Sequence, residues 1–193
     1  MNNDSLRYAG FWPRLGAHLL DILIMLPLIL LTFQGLMHYR LFELYFFVPG
    51  TLFGLFYSVY LVQRFGGTPG KLLLGVRIRK LTGEPVGYRE AILRYLPEFL
   101  FGLLISIAWL YVEFHISESE FYSLSSSERA QRIAKLAPSW SRPLKTIENI
   151  WIWAELLVLL TNRKRRALHD FIAGTVVVRM SASEALKFAM DRT

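Results

Sequence analysis

Two charged side chains within a long apolar segment are the residues most able to do chemistry in this sequence. Asp21 lies inside the apolar run Leu19–Leu31, and Arg14 precedes it by seven residues. At roughly 3.6 residues per helical turn, this spacing puts both side chains on about the same helix face. A charge in a membrane segment costs about 3 kcal/mol of insertion free energy, so we expect Arg14 to be the partner of Asp21.

Two interpretations of this pair are open. In the structural interpretation, the ion pair locks the first helix to a neighbour, because breaking a buried pair is costly. In the functional interpretation, Asp21 binds and releases a proton or a monovalent cation. Burial and a nearby arginine change the proton affinity of a carboxylate in opposite directions, which suits such an exchange.

Three further candidates lie near the end of the chain. Asp170 follows the basic run RKRR at residues 163–166, where it either caps a helix and pairs with that run or guards the cytoplasmic mouth of an ion path. His169 beside it titrates near neutral pH and is a secondary candidate for sensing cytoplasmic pH. Glu155 lies inside a thin apolar run and is a secondary ion or proton site, expected to face the interior of a helix bundle.

The segment GGTPGK, residues 66–71, indicates a contact with lipid phosphates rather than a nucleotide-binding phosphate loop. It lacks the full phosphate-loop pattern, and no strand precedes it. We therefore expect a tight turn in which Lys71, together with Arg77, contacts lipid phosphates. The sequence has no cysteine and no His-Glu-x-x-His, Gly-x-Ser-x-Gly or Cys/His pattern, so we predict no catalytic residue, no metal site, no cofactor and no enzymatic activity.

The elements that must position these residues are membrane helices. Of the 193 residues, 53% are hydrophobic, and the apolar ones are clumped. A helical span needs about 20 apolar residues. The apolar runs predict four spans, at residues 15–36, 44–63, 96–113 and 146–161. A polar insertion at 114–145 separates the third span from the fourth. The fourth run is the weakest, because Trp151 and Trp153 are typical of a membrane interface. Whether it crosses the membrane or lies in the interface stays open.

The predicted fold class is an all-α membrane protein, a four-span helical bundle, with a small cytoplasmic two-stranded β element. Val76–Arg79 alternates apolar and basic residues and Thr175–Val178 is mostly β-branched, so we expect these two strands to pair. Helices are predicted at Gly87–Leu96, along the membrane surface and leading into the third span, and at Ser127–Leu136, within the insertion. Capping-box spacing at Ser181–Glu184 predicts a short cytoplasmic tail helix at 181–193, which follows a membrane domain at 1–180.

The distribution of charge predicts the orientation. The net charge is +7, and residues 63–95 carry seven basic and two acidic residues. The positive-inside rule places this stretch, the RKRR run and both termini in the cytoplasm. Because the basic residues lie close to the spans, we expect anionic membrane lipids as partners and no nucleic acid.

Three separated segments resemble the RDD family of small bacterial membrane proteins, which is named for an Arg and an Asp in the first span and an Asp after the last. In AGFWPRLGAHLLD and LHDFIAGTVVV these positions match Arg14, Asp21 and Asp170. The middle segment, GGTPGKLLLGVRIRK, supplies the other matches: Gly67, Thr68, Gly70, Lys71, Gly75 and Arg77. The resemblance implies a transport-related protein of the bacterial cytoplasmic (inner) membrane, and cation/proton exchange has been proposed for some members.

Residues and resemblance together lead to a functional hypothesis with one alternative. The hypothesis is a transport-related role, with antiport of a monovalent cation and a proton at Asp21 and with Arg14 as its partner. The alternative is a non-transporting assembly or accessory subunit of a membrane complex. Four helices are few for a complete transporter, so we expect a homo-oligomer or a partner membrane protein.

Overall fold

The computed structural model describes residues 7–180. The predicted tail helix at 181–193, with its capping box, lies outside the described residues, so the boundary predicted at residue 180 stays a prediction. The described chain is mostly helical, with one π-helical segment (Phe56–Tyr60) and one small sheet. The elements in chain order are α1 (Phe11–His38), α2 (Phe42–Leu55), the π-helical segment, α3 (Leu61–Phe65), α4 (Pro69–Leu73), β1 (Val76–Lys80), α5 (Tyr88–His115), α6 (Glu118–Ser123), α7 (Ser126–Leu136), α8 (Ser141–Thr161), α9 (Leu168–Ala173) and β2 (Thr175–Arg179).

Three helical segments of the described chain are long and apolar enough to cross a membrane. They are Phe11–His38, Phe42–Leu73 and Tyr88–His115. The predicted fourth span falls in α8, which is not one of them. Charged residues explain the difference, because α8 carries Arg142, Lys145, Glu148 and Glu155 within its 21 residues. The predicted count of four spans is therefore not confirmed.

The helix predicted at Gly87–Leu96 is confirmed, beginning at Tyr88, and its location along the membrane surface stays a prediction. It is the first part of α5, which continues through Pro97 into the apolar run. Proline removes one backbone donor from a helix, but here the helix carries on past it. The start of α5 is fixed by Glu90, whose carboxylate accepts a 2.8 Å hydrogen bond from the Gly87 N–H.

The predicted strand pair is confirmed. β1 and β2 are antiparallel, with Val76 opposite Arg179 and Lys80 opposite Thr175. Both outer edges of this sheet are covered, since Tyr8 bridges to Val178 and Pro85 bridges to Arg79. An uncovered edge strand can pair with another chain, and these short bridges remove that opening.

The chain divides into two compact units. The described part of unit one comprises residues 7–25, 54–97 and 152–180. Its core is built on the sheet, because β1 and β2 bury apolar side chains against residues of the neighbouring helices. The buried cluster consists of Ala9, Val59, Val62, Val76, Ile78, Val86, Ala91 and Val177.

Unit two comprises Leu26–Phe53 and Glu98–Trp151 and holds the whole of the predicted insertion. The insertion is folded: α7 begins one residue before its predicted start and has a capping box formed by Ser125 and Glu128. The Glu113 carboxylate accepts hydrogen bonds from the backbone N–H groups of Glu43 (2.7 Å) and Leu44 (3.1 Å) at the start of α2. These contacts satisfy donors that a helix N-terminus leaves free.

Candidate functional site

Asp21 is held by three hydrogen bonds from residues of its own unit. Its side chain lies on α1, and the residue is only 8% exposed. Oδ1 accepts the Tyr57 hydroxyl at 2.6 Å and the Gly70 N–H at 2.7 Å, and Oδ2 accepts the Thr68 hydroxyl at 2.5 Å. Lys71 Nζ lies 4.0 Å from Oδ2. The carboxylate is therefore surrounded by donors and faces one cation.

The sequence TPGK explains why the donors converge there. Thr68 has extended backbone angles and precedes α4, and Pro69 occupies the first turn, where no backbone donor is needed. The N–H of Gly70 is then one of the free donors at the helix start. Asp21 accepts this N–H, so α4 is capped by a side chain from α1.

Gly70 is required by the close approach of α4 to α1. A Cβ atom added at Gly70 would collide with the carbonyl oxygen of Ala17 and would lie 2.8 Å from both the N and the Oδ1 of Asp21. A side chain at residue 70 would therefore push the Thr68 and Gly70 donors away from the carboxylate. The close approach of the two helices therefore explains why residue 70 is a glycine.

Tyr57 lies in the π-helical segment Phe56–Tyr60. Such wider turns are rare and are found frequently at functional sites. Tyr57 was not among the predicted site residues, because no sequence pattern predicts a π-turn. Thr68 and Gly70 were matched through the resemblance, but not as donors to Asp21.

Asp170 forms a second buried cluster. The residue is fully buried, and Arg94 and Arg14 both bind its carboxylate, Arg14 through Nη1 at 2.7 Å. The Ala167 N–H donates to Oδ2 at 2.9 Å, and the Thr175 hydroxyl donates to Oδ1 at 3.3 Å. Asp170 thus joins α1, α5 and β2 to the short helix α9.

The charge state of Asp170 follows from these neighbours. Burial opposes ionisation, but electrostatic attraction from Arg94, His169 and Arg14 and the hydrogen bond from Arg14 outweigh it. They hold the pKa of Asp170 well below its ordinary value. The carboxylate is therefore ionised at neutral pH.

The expected pairing of Arg14 with Asp21 was wrong. Among the described residues, Arg14 donates to Asp170 and to the backbone oxygens of Ala9 and Arg165. Two residues seven apart share a helix face but are separated by about 10 Å along the axis. Each charge can therefore have a different partner, and here the two acids have separate sets of partners.

His169 and Glu155 belong to the Asp170 cluster. His169 Nε2 lies 2.8 Å from Arg94 Nη2, and its Nδ1 contacts the Glu155 carboxylate. Because a guanidinium only donates, Nε2 accepts, and Nδ1 carries the hydrogen directed at Glu155. The structure thus brings together four predicted residues, Arg14, Asp170, His169 and Glu155, and adds Arg94 and Thr175, which the sequence analysis did not single out.

Lys71 and Arg77 stay predictions as lipid contacts. Lys71 Nζ lies 3.2 Å from the Thr68 hydroxyl, and its segment is a short helix rather than the expected tight turn. Arg77 Nη1 donates to the carbonyl oxygens of Leu72 (3.3 Å) and Val76 (3.1 Å). Burial, followed by the charge of Arg79, lowers the pKa of Arg77 from its ordinary value.

The chemistry open to Asp21 in this arrangement is limited. Tyr57, Thr68 and Gly70 direct hydrogens at the carboxylate, whereas a cation requires oxygen lone pairs. Within residues 7–180 no group of three or more His, Asp or Glu side chains is placed to hold a metal ion. The arrangement therefore holds the Asp21 carboxylate in place and joins α1 to α4.

Three apolar helices of membrane-spanning length, with buried charge clusters among them, define the chain as an integral membrane protein. A model of the RDD family matches residues 8–174, and the chain belongs to this family. No curated protein was found to match the chain. The matched signature residues Arg14, Asp21, Lys71 and Asp170 all lie in unit one.

Proposed function

We propose that this chain is a structural or accessory component of a membrane assembly, in which the buried acids hold helices together. One observation carries this proposal: the chain's own residues already occupy both signature carboxylates. Asp21 accepts three hydrogen bonds, and Asp170 binds two guanidinium groups. Neither acid needs an ion from solution to satisfy its charge.

An ion that binds Asp21 would have to displace the hydrogen bonds that this carboxylate already accepts. A hydrogen bond to a charged group contributes roughly 1.5–3 kcal/mol. A proton or a cation that replaced the three donors of Asp21 would have to offset several such bonds. Repeated binding and release is therefore costly at this carboxylate, whereas a permanent structural role costs nothing further.

Cation/proton exchange is the second candidate, and the lysine near Asp21 favours it. Lys71 Nζ lies 4.0 Å from Asp21 Oδ2, which is longer than a hydrogen bond. A cation entering at Oδ2 would compete with Lys71 for the same charge. In this alternative, Asp21 is the ion or proton site and the Asp170 cluster guards the cytoplasmic end of the path.

Proton flux in proteoliposomes distinguishes the two candidates. The purified full chain and Asp21→Asn are compared while Na⁺, K⁺ and Li⁺ are added in turn. The structural proposal predicts no cation-dependent flux in either protein, and a lower unfolding temperature for the variant. Cation-dependent flux in wild type that disappears in a folded Asp21→Asn variant would overturn it and establish exchange.

The control variant is Glu84→Gln, which changes charge by the same amount at an exposed position of unit one. It should leave both flux and unfolding temperature as in wild type. Loss of flux in this control would show a general effect of charge rather than a site at Asp21.

We also propose that α8 is a fourth span. β1 and β2 are hydrogen bonded to each other, so both lie on one side of the membrane. The chain between them contains α5, which is long and apolar enough to cross once. A second crossing has to bring the chain back, and α8 precedes β2. Its 21 residues extend about 32 Å, which is close to the ~30 Å hydrocarbon core.

Glu155, one of the four charged residues in α8, fits this proposal. Glu155 contacts His169 in unit one, so its charge does not face lipid alone. The positive-inside rule then supports a cytoplasmic location for the sheet, the RKRR run and both termini, in a bacterial inner membrane. The predicted partners, a homo-oligomer or another membrane protein, and the predicted lack of enzymatic activity, cofactor and nucleic-acid binding stay predictions.

A further inference from the structure

A cavity in unit two lies outside both charge clusters. It has a volume of about 330 Å³ and opens beside the connector between α1 and α2. Its walls come from that connector, from the first turn of α2 and from α6. The volume is at the small end of the range for small-molecule sites, which is roughly 300–1,000 Å³.

Two opposite charges line this cavity, Arg40 and Glu118. Arg40 is fixed in place, because its Nη1 donates to the carbonyl oxygens of Glu113 (2.9 Å) and Ile116 (3.1 Å). Its Nε and Nη2 make no hydrogen bond within the described residues, and neither does the Glu118 carboxylate. The cavity therefore offers the remaining N–H groups of Arg40, whose charge also acts on Glu113, and a carboxylate that makes no hydrogen bond within residues 7–180.

Aromatic rings form most of the remaining wall. Tyr39, Tyr45 and Tyr122 are 66%, 74% and 55% exposed, and Phe42 completes the set. Aromatic faces attract ammonium groups, and tyrosine hydroxyls can donate to phosphate oxygens. A ligand with one ammonium and one phosphate would thus find a partner for each group.

We infer that this cavity binds the headgroup of a zwitterionic phospholipid, with its phosphate at Arg40 and its ammonium between Glu118 and the tyrosine rings. The connector joins two helices of membrane-spanning length, so it lies where lipid headgroups are found. An anionic lipid such as phosphatidylglycerol would satisfy Arg40 but would leave Glu118 without a partner. Phosphatidylethanolamine satisfies both.

Native mass spectrometry of the full chain in detergent tests this inference. Phosphatidylethanolamine and phosphatidylglycerol with the same acyl chains are added in equal amounts. We expect wild type to retain phosphatidylethanolamine preferentially, and Glu118→Gln to reduce that preference about three-fold, the size of one exposed charge pair. Equal retention of both lipids by wild type, or an unchanged preference in Glu118→Gln, would overturn the inference.

Two matched sets of variants separate the cavity from general effects. Glu84→Gln removes the same charge in unit one and should retain the wild-type preference. Tyr45→Leu removes a ring and should lower retention of phosphatidylethanolamine about three-fold, whereas Tyr45→Phe keeps the ring and should not. Equal losses in Tyr45→Phe and Tyr45→Leu would contradict the proposed contact with the aromatic faces.

The source of the headgroup is tested with phosphoethanolamine, which has the same charges and no acyl chains. A large excess of this soluble compound should leave the lipid bound, because the lipid is also held by the apolar helices. Displacement of the lipid by this excess of phosphoethanolamine would assign the cavity to a soluble ligand and overturn the lipid assignment.

Discussion

At the scale of the residue, the two signature acids differ in what surrounds them. Asp21 is held mainly by hydroxyl and backbone donors, with Lys71 at 4.0 Å. Asp170 is fully buried between two arginines. Removing the charge of Asp170 leaves two buried arginines without their acceptor, and such a loss is among the most destabilising single changes.

We therefore predict that Asp170→Asn lowers the free energy of unfolding by about 3–5 kcal/mol. Thermal or denaturant unfolding of the purified protein in detergent measures this difference, with Glu84→Gln as the control. A loss comparable to that of the exposed control would contradict the assigned role of Asp170 as the centre of the cluster.

The same variant has a defined pH dependence. Because the folded-state pKa of Asp170 lies below its ordinary value, which is about 3.9, its contribution to stability is complete above that value. It is lost as pH falls from there through the folded-state pKa. The stability difference between wild type and Asp170→Asn should be constant from about pH 5 to 7.5. A decline within that window would contradict the assignment of this stability to the ionised Asp170.

Asp21, Asp170 and Arg14 were predicted as site residues, but the pairing of Arg14 with Asp170 was not predicted. Arg14 and Asp170 are separated by 156 positions, and no local spacing encodes such a contact. The seven-residue spacing to Asp21 was the only signal available, and it predicts a shared face rather than a contact. Arg94 was counted among the basic residues of its segment, with nothing in the sequence to show that it turns inward.

At the scale of the element, the contact between α4 and α1 depends on the absence of a side chain. Gly70→Ala places a Cβ against the backbone of α1, and we predict a lower unfolding temperature and loss of the Asp21 hydrogen bonds. The matched control is Gly102→Ala in α5, where a Cβ would meet no atom within 4 Å. That substitution should be neutral or stabilising by up to ~1 kcal/mol, because alanine is the better helix former.

The comparison of these two variants is made by thermal unfolding under identical conditions. If Gly70→Ala were as stable as Gly102→Ala, α4 would not pack directly on α1. The account of Asp21 as a cap for α4 would then fail with it.

Elements with a strong local signal were predicted well. The strands were recognisable because alternation in 76–79 and the β-branched run in 175–178 are features of a few adjacent residues. The start of α7 was predicted to within one residue. The helix at Gly87–Leu96 was predicted to lead into the third span, but that the two form one helix through Pro97 was not, since a polar first half and a proline both favour a break. The π-helical segment carries no sequence signal of this kind.

At the scale of the whole molecule, the family signature and the insertion lie in different units. Arg14, Asp21, Lys71 and Asp170 belong to unit one, and the whole insertion lies in unit two. The predicted membrane class and the small sheet are confirmed. The predicted number of spans is not confirmed. Mean hydropathy averages the apolar and the charged residues of α8 together, and it does not consider whether a charged side chain is paired.

Cysteine labelling tests the proposed fourth span. The chain has no cysteine, so Glu84→Cys and Lys164→Cys, both at exposed positions, each introduce a single reactive thiol. We predict that a membrane-impermeant maleimide labels both from the cytoplasmic side alone. Labelling of the two positions from opposite sides would mean that α8 does not cross, and would contradict the argument from the paired strands.

The most direct test of the central claim, that donors of the chain itself occupy Asp21, is a double-mutant cycle on one hydrogen bond. Unfolding free energies are measured for wild type, Asp21→Ala, Tyr57→Phe and the double variant, and a parallel cycle uses Tyr60→Phe in the same π-helical segment. We predict a coupling of about 1.5–3 kcal/mol between Asp21 and Tyr57 and none between Asp21 and Tyr60. Coupling near zero for Tyr57 would contradict the account and leave Asp21 available as an ion site.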